Sequence, residues 1–141
     1  MELTTDDRLA IGELCARACH LLDFNDPDGY VGLFLPDGVF QRRASPSAGG
    51  EVMFRHQGHG ELRAFAEKMS SLRQGLARHW TANLALAPTT DGAAGSSYTM
   101  LVATDPEARQ VGISIAGTYQ DVFAKTGTGW RFVSRTVTDD L

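Results

Sequence analysis

Between Ala77 and Asp139 apolar and polar residues alternate at a period of two, the pattern of half-buried strands. Four stretches carry it: Ala77–Pro88, Ser96–Thr104, Gln110–Lys125 and Gly129–Asp139. The turn signals Asp91-Gly92, Asp105-Pro106 and Gly127-Thr128-Gly129 separate them. Connections this short join antiparallel neighbours, because a parallel crossover needs roughly a dozen residues. The result is a long meander with one apolar face to cover.

The preceding residues supply the cover. Thr4 or Thr5 caps a first helix, with Asp6 and Asp7 in its positive opening turn. Leu9, Ile11, Leu14, Cys15, Ala18, Cys19 and Leu22 form a broad helical stripe that should stop near Asn25. Asp26 caps a second helix with Pro27 in its first turn; it buries Tyr30, Val31, Leu33 and Phe34 and ends before Pro36. The turn Pro36-Asp37-Gly38 leads into a hairpin of Val39–Arg43 and Glu51–Gln57. A third helix, Glu61–Leu72, turns Leu62, Phe65, Ala66 and Met69 inward. Helices in front and strands behind predict an α+β fold in one domain spanning residues 1–141. A twisted antiparallel sheet, bent at glycines such as Gly112 and Gly117, would form a cone or half-barrel with about three helices across its concave face. A cavity between the first helix and the sheet is then the expected ligand site.

Charge narrows the partners. The 13 basic side chains are scattered and outnumbered by 17 acidic ones, so a nucleic-acid partner is not expected. No apolar run approaches the roughly 20 residues of a membrane-spanning helix. The acidic opening MELTTDDRLAIGEL does not read as a secretory signal. Cys15 and Cys19, four apart on a helix, are poorly placed for a disulfide, and together these features predict a reducing, cytoplasmic setting.

Two residues are the candidates for chemistry. Asp23 lies one helical turn beyond Cys19, on or beside the stripe facing the sheet; it serves the cavity, bonds the frayed end of its helix, or faces water. In Arg78-His79-Trp80-Thr81-Ala82-Asn83-Leu84, strand alternation places His79, Thr81 and Asn83 on one face and Trp80, Ala82 and Leu84 on the other. His79 is then a catalytic base, a histidine satisfied by backbone, or part of a polar outer sheet face with Trp80 turned inward.

The series LLDFNDPDGYVGLFLPDGVF, RHWTAN, AGTYQDVF and GWRFVSRTV resembles the SnoaL-like branch of the nuclear transport factor 2-like superfamily over nearly the whole chain. It is similar to scytalone dehydratase and to hexachlorocyclohexane dehydrochlorinase. The resemblance implies a cystatin-like curved-sheet cone, a homodimer through the outer sheet face, and a catalytic dyad of Asp23 and His79. In such a dyad the carboxylate orients the imidazole and stabilises its protonated form, while the other ring nitrogen removes a proton. This sequence departs from those lyases at Ala18, where a tyrosine or basic side chain is frequent, and in lacking a counterpart to a second pocket histidine. His56 and His59 read as surface residues.

Tyr30, Phe40, Phe54, Trp80, Tyr98 and Tyr119 are the aromatic candidates for the cavity wall, and Tyr98, Tyr119 or Asn83 could stabilise negative charge on a substrate oxygen. Trp130 belongs to the same aromatic set, and Asp121 is read as an ion-pair partner of Arg135. Cys15, Cys19 and His20 lack a fourth convergent ligand, and no phosphate-binding glycine motif appears, so neither metal nor cofactor is expected. The expected function is a cofactor-free lyase, a dehydratase, acting on a small hydrophobic molecule. The alternatives are an isomerase or cyclase using the same base, or a non-catalytic ligand-binding or assembly module, since GTYQDVF and GWRFVSRTV also resemble small subunits of aromatic-ring oxygenases.

Overall fold

A computed structural model describes residues 2–141. Helix α1 (Thr5–Asp23) starts with a reciprocal cap: the Thr4 hydroxyl accepts from Asp7 N at 3.1 Å, and the Asp7 carboxylate accepts from Thr4 N at 3.1 Å. Asp7 also accepts from Lys125 Nζ at 2.8 Å and Trp130 Nε1 at 3.0 Å, so one side chain ties the start of the helix to the far end of the sheet. Lys125, helped by Thr4 and Trp130, holds this carboxyl well below the usual carboxylate range.

Helix α2 (Pro27–Val31) is shorter than its sequence pattern predicts. The chain leaves it at Gly32, and strand β1 (Phe34–Arg43) begins where helix was expected. Tertiary pairing overrides helical spacing here: Leu33 O accepts from Phe132 N at 2.8 Å, and the Phe34 and Phe132 rings meet at 5.0 Å. Pro36-Asp37-Gly38 is therefore an irregularity inside β1 rather than a turn before it. A single 3-10 turn (Pro46–Ala48) leads to β2 (Val52–Gln57), and α3 (Gly58–Arg73) follows directly.

The meander is β3 (Ala77–Pro88), β4 (Gly92–Asp105), β5 (Gln110–Thr126) and β6 (Gly129–Asp139). Strand order is β2-β1-β6-β5-β4-β3, an open, curved, cystatin-like sheet. One pair departs from the expected antiparallel pattern: β1 runs parallel to β6. The reason is topological. Both edge strands, β2 and β3, are joined by α3, which spans the concave face, and the returning meander brings β6 alongside β1 in the same direction.

Bulges bend the sheet between Ala82 and Ala85, between Leu101 and Val102, and between Val122 and Phe123. Gly117 is required where β5 crosses β6, since a Cβ there would stand 2.2 Å from Thr138 O; Gly112 faces open space. Ile11, Leu14, Phe34, Leu62, Phe123 and Phe132 fill the space between helices and sheet. Among the described residues no helix is long and apolar enough to cross a membrane.

Candidate active site

At the end of α1, where the core gives way to a cavity of about 120 Å³, Asp23 points across to β3. Its Oδ1 lies 2.5 Å from His79 Nδ1 and its Oδ2 accepts from His79 N at 2.8 Å. The fraying of α1 is handled without it, by Phe24 N–H to His20 O and Asp26 N–H to Leu21 O. The two side chains are 4% and 11% exposed, enough burial for the contact to be shielded from water. A carboxylate has only acceptors to offer, so Nδ1 carries the proton and Nε2 is left with its lone pair. Nε2 has no hydrogen-bond partner among the described residues, and His79 lines the cavity.

The remaining walls are largely apolar. Ala18, Cys19 and Leu22 come from α1, Phe65 and Met69 from α3, and Tyr30, Phe40, Phe54 and Tyr119 stand where the sequence pattern placed them. Burial pushes the Tyr30 and Tyr119 phenols above their ordinary range against the pull of Arg135, so both remain neutral donors. Burial likewise raises the Cys15 thiol to about 12 and lifts Cys19, leaving inert, protonated sulfur. Asp121 and Arg135 pair at 2.9 and 3.0 Å, and the Arg135 guanidinium lies 3.8 Å from the centre of the Tyr119 ring.

Three expected cavity residues lie elsewhere. Trp80 is 61% exposed and Tyr98 58% exposed, both on the outer face of the sheet. Tyr98 pairs with Ala82, while its neighbours Ser97 and Thr99 point inward. Asn83 occupies the β3 bulge at φ 60°, exposed, in the left-handed region that asparagine tolerates. That extra residue shifts the alternation by one, so Leu84 and Leu86 face the core instead of following Trp80 outward. Strict alternation could not anticipate the shift. His56 and His59 are not plain surface residues either: the His56 ring stacks on Phe65 at 5.1 Å, and His59 Nε2 donates to Phe34 O at 3.0 Å. Trp130 is buried away from the cavity, on Asp7.

Arg42, Arg73 and Thr99 also line the cavity, and sequence reasoning passed over them. For Arg73 a signal was present. It lies four residues beyond Met69 and eight beyond Phe65, on the helical face already assigned to the interior.

A family model described as the SnoaL-like domain matches residues 4–136. Among curated proteins none matches. The chain superposes on a protein of unknown function from Mycobacterium tuberculosis with TM-score 0.81 and 27% identity, covering 97% of this chain and 78% of that one. A protein of unknown function with a cystatin-like fold from Nostoc punctiforme gives TM-score 0.80 and 27% identity over 99% of this chain and 96% of that one. The beta subunit of a proposed aromatic-ring-hydroxylating dioxygenase from Novosphingobium aromaticivorans gives 0.81 and 22% identity over 99% and 93%, a likeness of fold.

Proposed function

We propose, from the premise that this chain belongs to the SnoaL-like domain family, that it is a cofactor-free lyase of the dehydratase type acting on a small, largely apolar molecule. His79 Nε2 is the general base, and Asp23 fixes the tautomer and stabilises the imidazolium. In this reading neutral Tyr119, which lines the cavity, donates a hydrogen bond to a substrate oxygen. The single observation behind this reading is the double grip of one buried carboxylate on the ring and backbone of His79 at the wall of a cavity. Holding an imidazole this firmly is more than packing requires. The test is proton exchange in deuterated water with single-ring β-hydroxy ketones. Wild type should incorporate deuterium or release water, and His79→Gln should lose about two to four orders of magnitude in rate. Full activity in that variant would refute the role.

A second reading rests on the outer face. Trp80 and Tyr98, diagonal neighbours across β3 and β4, leave an apolar patch on the convex side of the sheet. We assign this surface to a homodimer contact; the likeness to an oxygenase beta subunit makes docking on a larger enzyme the competing use.

A further inference from the structure

Two of the three arginines around the cavity are neutralised by aspartates of their own. Asp139 holds Arg42 with contacts of 2.7 to 3.0 Å, and Asp121 holds Arg135. Arg73, the last residue of α3, has no ion pair or side-chain hydrogen bond among the described residues, and its Nη1 is buried without a partner. Burial pulls its ionisation below the usual arginine value, and the strongest opposing attraction is the Asp23 carboxylate. Arg73 thus feels the dyad electrostatically. Yet both Asp23 oxygens are engaged by His79, so Arg73 is left with a donor to spend.

We propose that Arg73 receives the substrate's oxygen, and that the substrate is a single-ring ketone with an acidic C–H beside its carbonyl; the chemical step rests on His79 being the base. Charge fits a neutral ketone whose oxygen becomes anionic only as His79 becomes cationic, a state that a phenolate bound beside protonated His79 reproduces. With His79 uncharged, Asp23, Asp121 and Asp139 balance the three arginines. When Nε2 takes the proton from carbon, the C–H electron pair becomes the new C=C bond and the carbonyl π pair moves onto oxygen. The imidazolium then faces Asp23 and the enolate faces Arg73, so each new charge meets its opposite. For elimination, the enolate pair re-forms the carbonyl, the C=C pair expels the β-hydroxyl, and that group leaves as water with the proton from Nε2. No further reactant is needed. A cavity of about 120 Å³, somewhat smaller than the roughly 150 Å³ that admits benzene, limits the ligand to no more than one ring.

The probe is para-nitrophenol, a single ring whose ionised oxygen mimics the enolate and whose absorbance reports ionisation. Wild type should bind the phenolate in preference to neutral nitrobenzene and lower the apparent pKa of the bound phenol. Arg73→Met should weaken phenolate binding about ten- to a hundredfold, the worth of a charge-assisted hydrogen bond, and leave nitrobenzene binding unchanged. Arg73→Lys should recover part of the loss, and circular dichroism should show both variants folded. Equal phenolate binding by wild type and Arg73→Met, a wild-type preference for the neutral ring, or no binding of either probe would overturn the assignment. The binding readout is independent of turnover. If His79→Gln keeps full proton exchange while Arg73 still governs phenolate binding, the base has been misidentified and the oxygen site stands.

Discussion

Asp23 grips His79 at two points, the ring at 2.5 Å and the main-chain N–H at 2.8 Å, so one carboxylate sets both the position of the strand and the rotation of the imidazole. Asp23→Asn tests what the charge adds to the geometry. The amide oxygen can keep the backbone bond, but its NH₂ then faces Nδ1 and forces the proton onto Nε2, the nitrogen that must be bare. Turnover should fall by about two to four orders of magnitude with little loss of fold. Nitrogen NMR of His79 checks the mechanism directly: the tautomer should invert, and an unchanged tautomer would refute this account.

Residues whose surroundings are local were legible in the sequence, and residues set by strand pairing were not. The helical stripe of α1 and the order of the meander follow from spacing alone, and they bring Asp23 to the same region as His79. Asn83 was misplaced because its bulge depends on how β3 pairs with β4, which no alternation encodes; Trp80 follows plain alternation to the face opposite His79, and Tyr98, paired with Ala82, shares that outer face. Phe34 looked helical because it continues the spacing of Tyr30, yet its pairing with Phe132 makes it strand. Arg73 was readable from the face it shares with Met69, but a charged side chain at a helix end suggests solvent unless the opposing wall is known.

The corrected position of Trp80 and Tyr98 makes a prediction about assembly. Replacing both with serine should leave the Asp23–His79 contact and ligand binding intact while shifting a homodimer toward monomer in sedimentation velocity. A chain that is monomeric before mutation would sink the homodimer assignment. Retained binding of an oxygenase-type partner by the variant would sink the docking alternative.

Burial has raised the thiols of Cys15 and Cys19, so neither supplies thiolate at neutral pH. Native protein at about pH 8, close to the ordinary thiol pKa, should resist iodoacetamide, and both cysteines should alkylate once denaturant is added. Mass spectrometry before and after unfolding gives the answer. Rapid labelling of Cys19 alone in the native state would mean that the cavity opens far enough to solvate it.

Acid sensitivity should trace partly to Asp7. Its folded-state pKa is depressed, chiefly by Lys125, so its stabilising contribution is full above the unfolded value near 3.9 and disappears as pH falls through the lower folded value. Asp7→Asn should therefore be less stable than wild type at neutral pH, with a gap that narrows only below about pH 4. Urea denaturation across that range measures it. A gap independent of pH would mean that the residue acts through cap geometry and the Trp130 contact rather than through charge.

The buried pair of Asp121 and Arg135 should be the most mutation-sensitive polar contact in the chain. Asp121→Ala strands a guanidinium that is 3% exposed between the Tyr119 and Phe132 rings, with no other carboxylate paired to it among the described residues. Removing one partner of a buried pair typically costs about 3–5 kcal/mol, most of it the uncompensated charge. Asp121→Leu combined with Arg135→Met removes both charges and fills the space with apolar atoms, so it should recover much of that loss. A double-mutant cycle by denaturant titration separates the terms. If the double variant is as unstable as Asp121→Ala, the pair contributes shape that leucine and methionine cannot reproduce, and the charge argument fails. If stability returns but ligand binding does not, the stack of Arg135 on Tyr119 is what holds the phenol at the cavity wall.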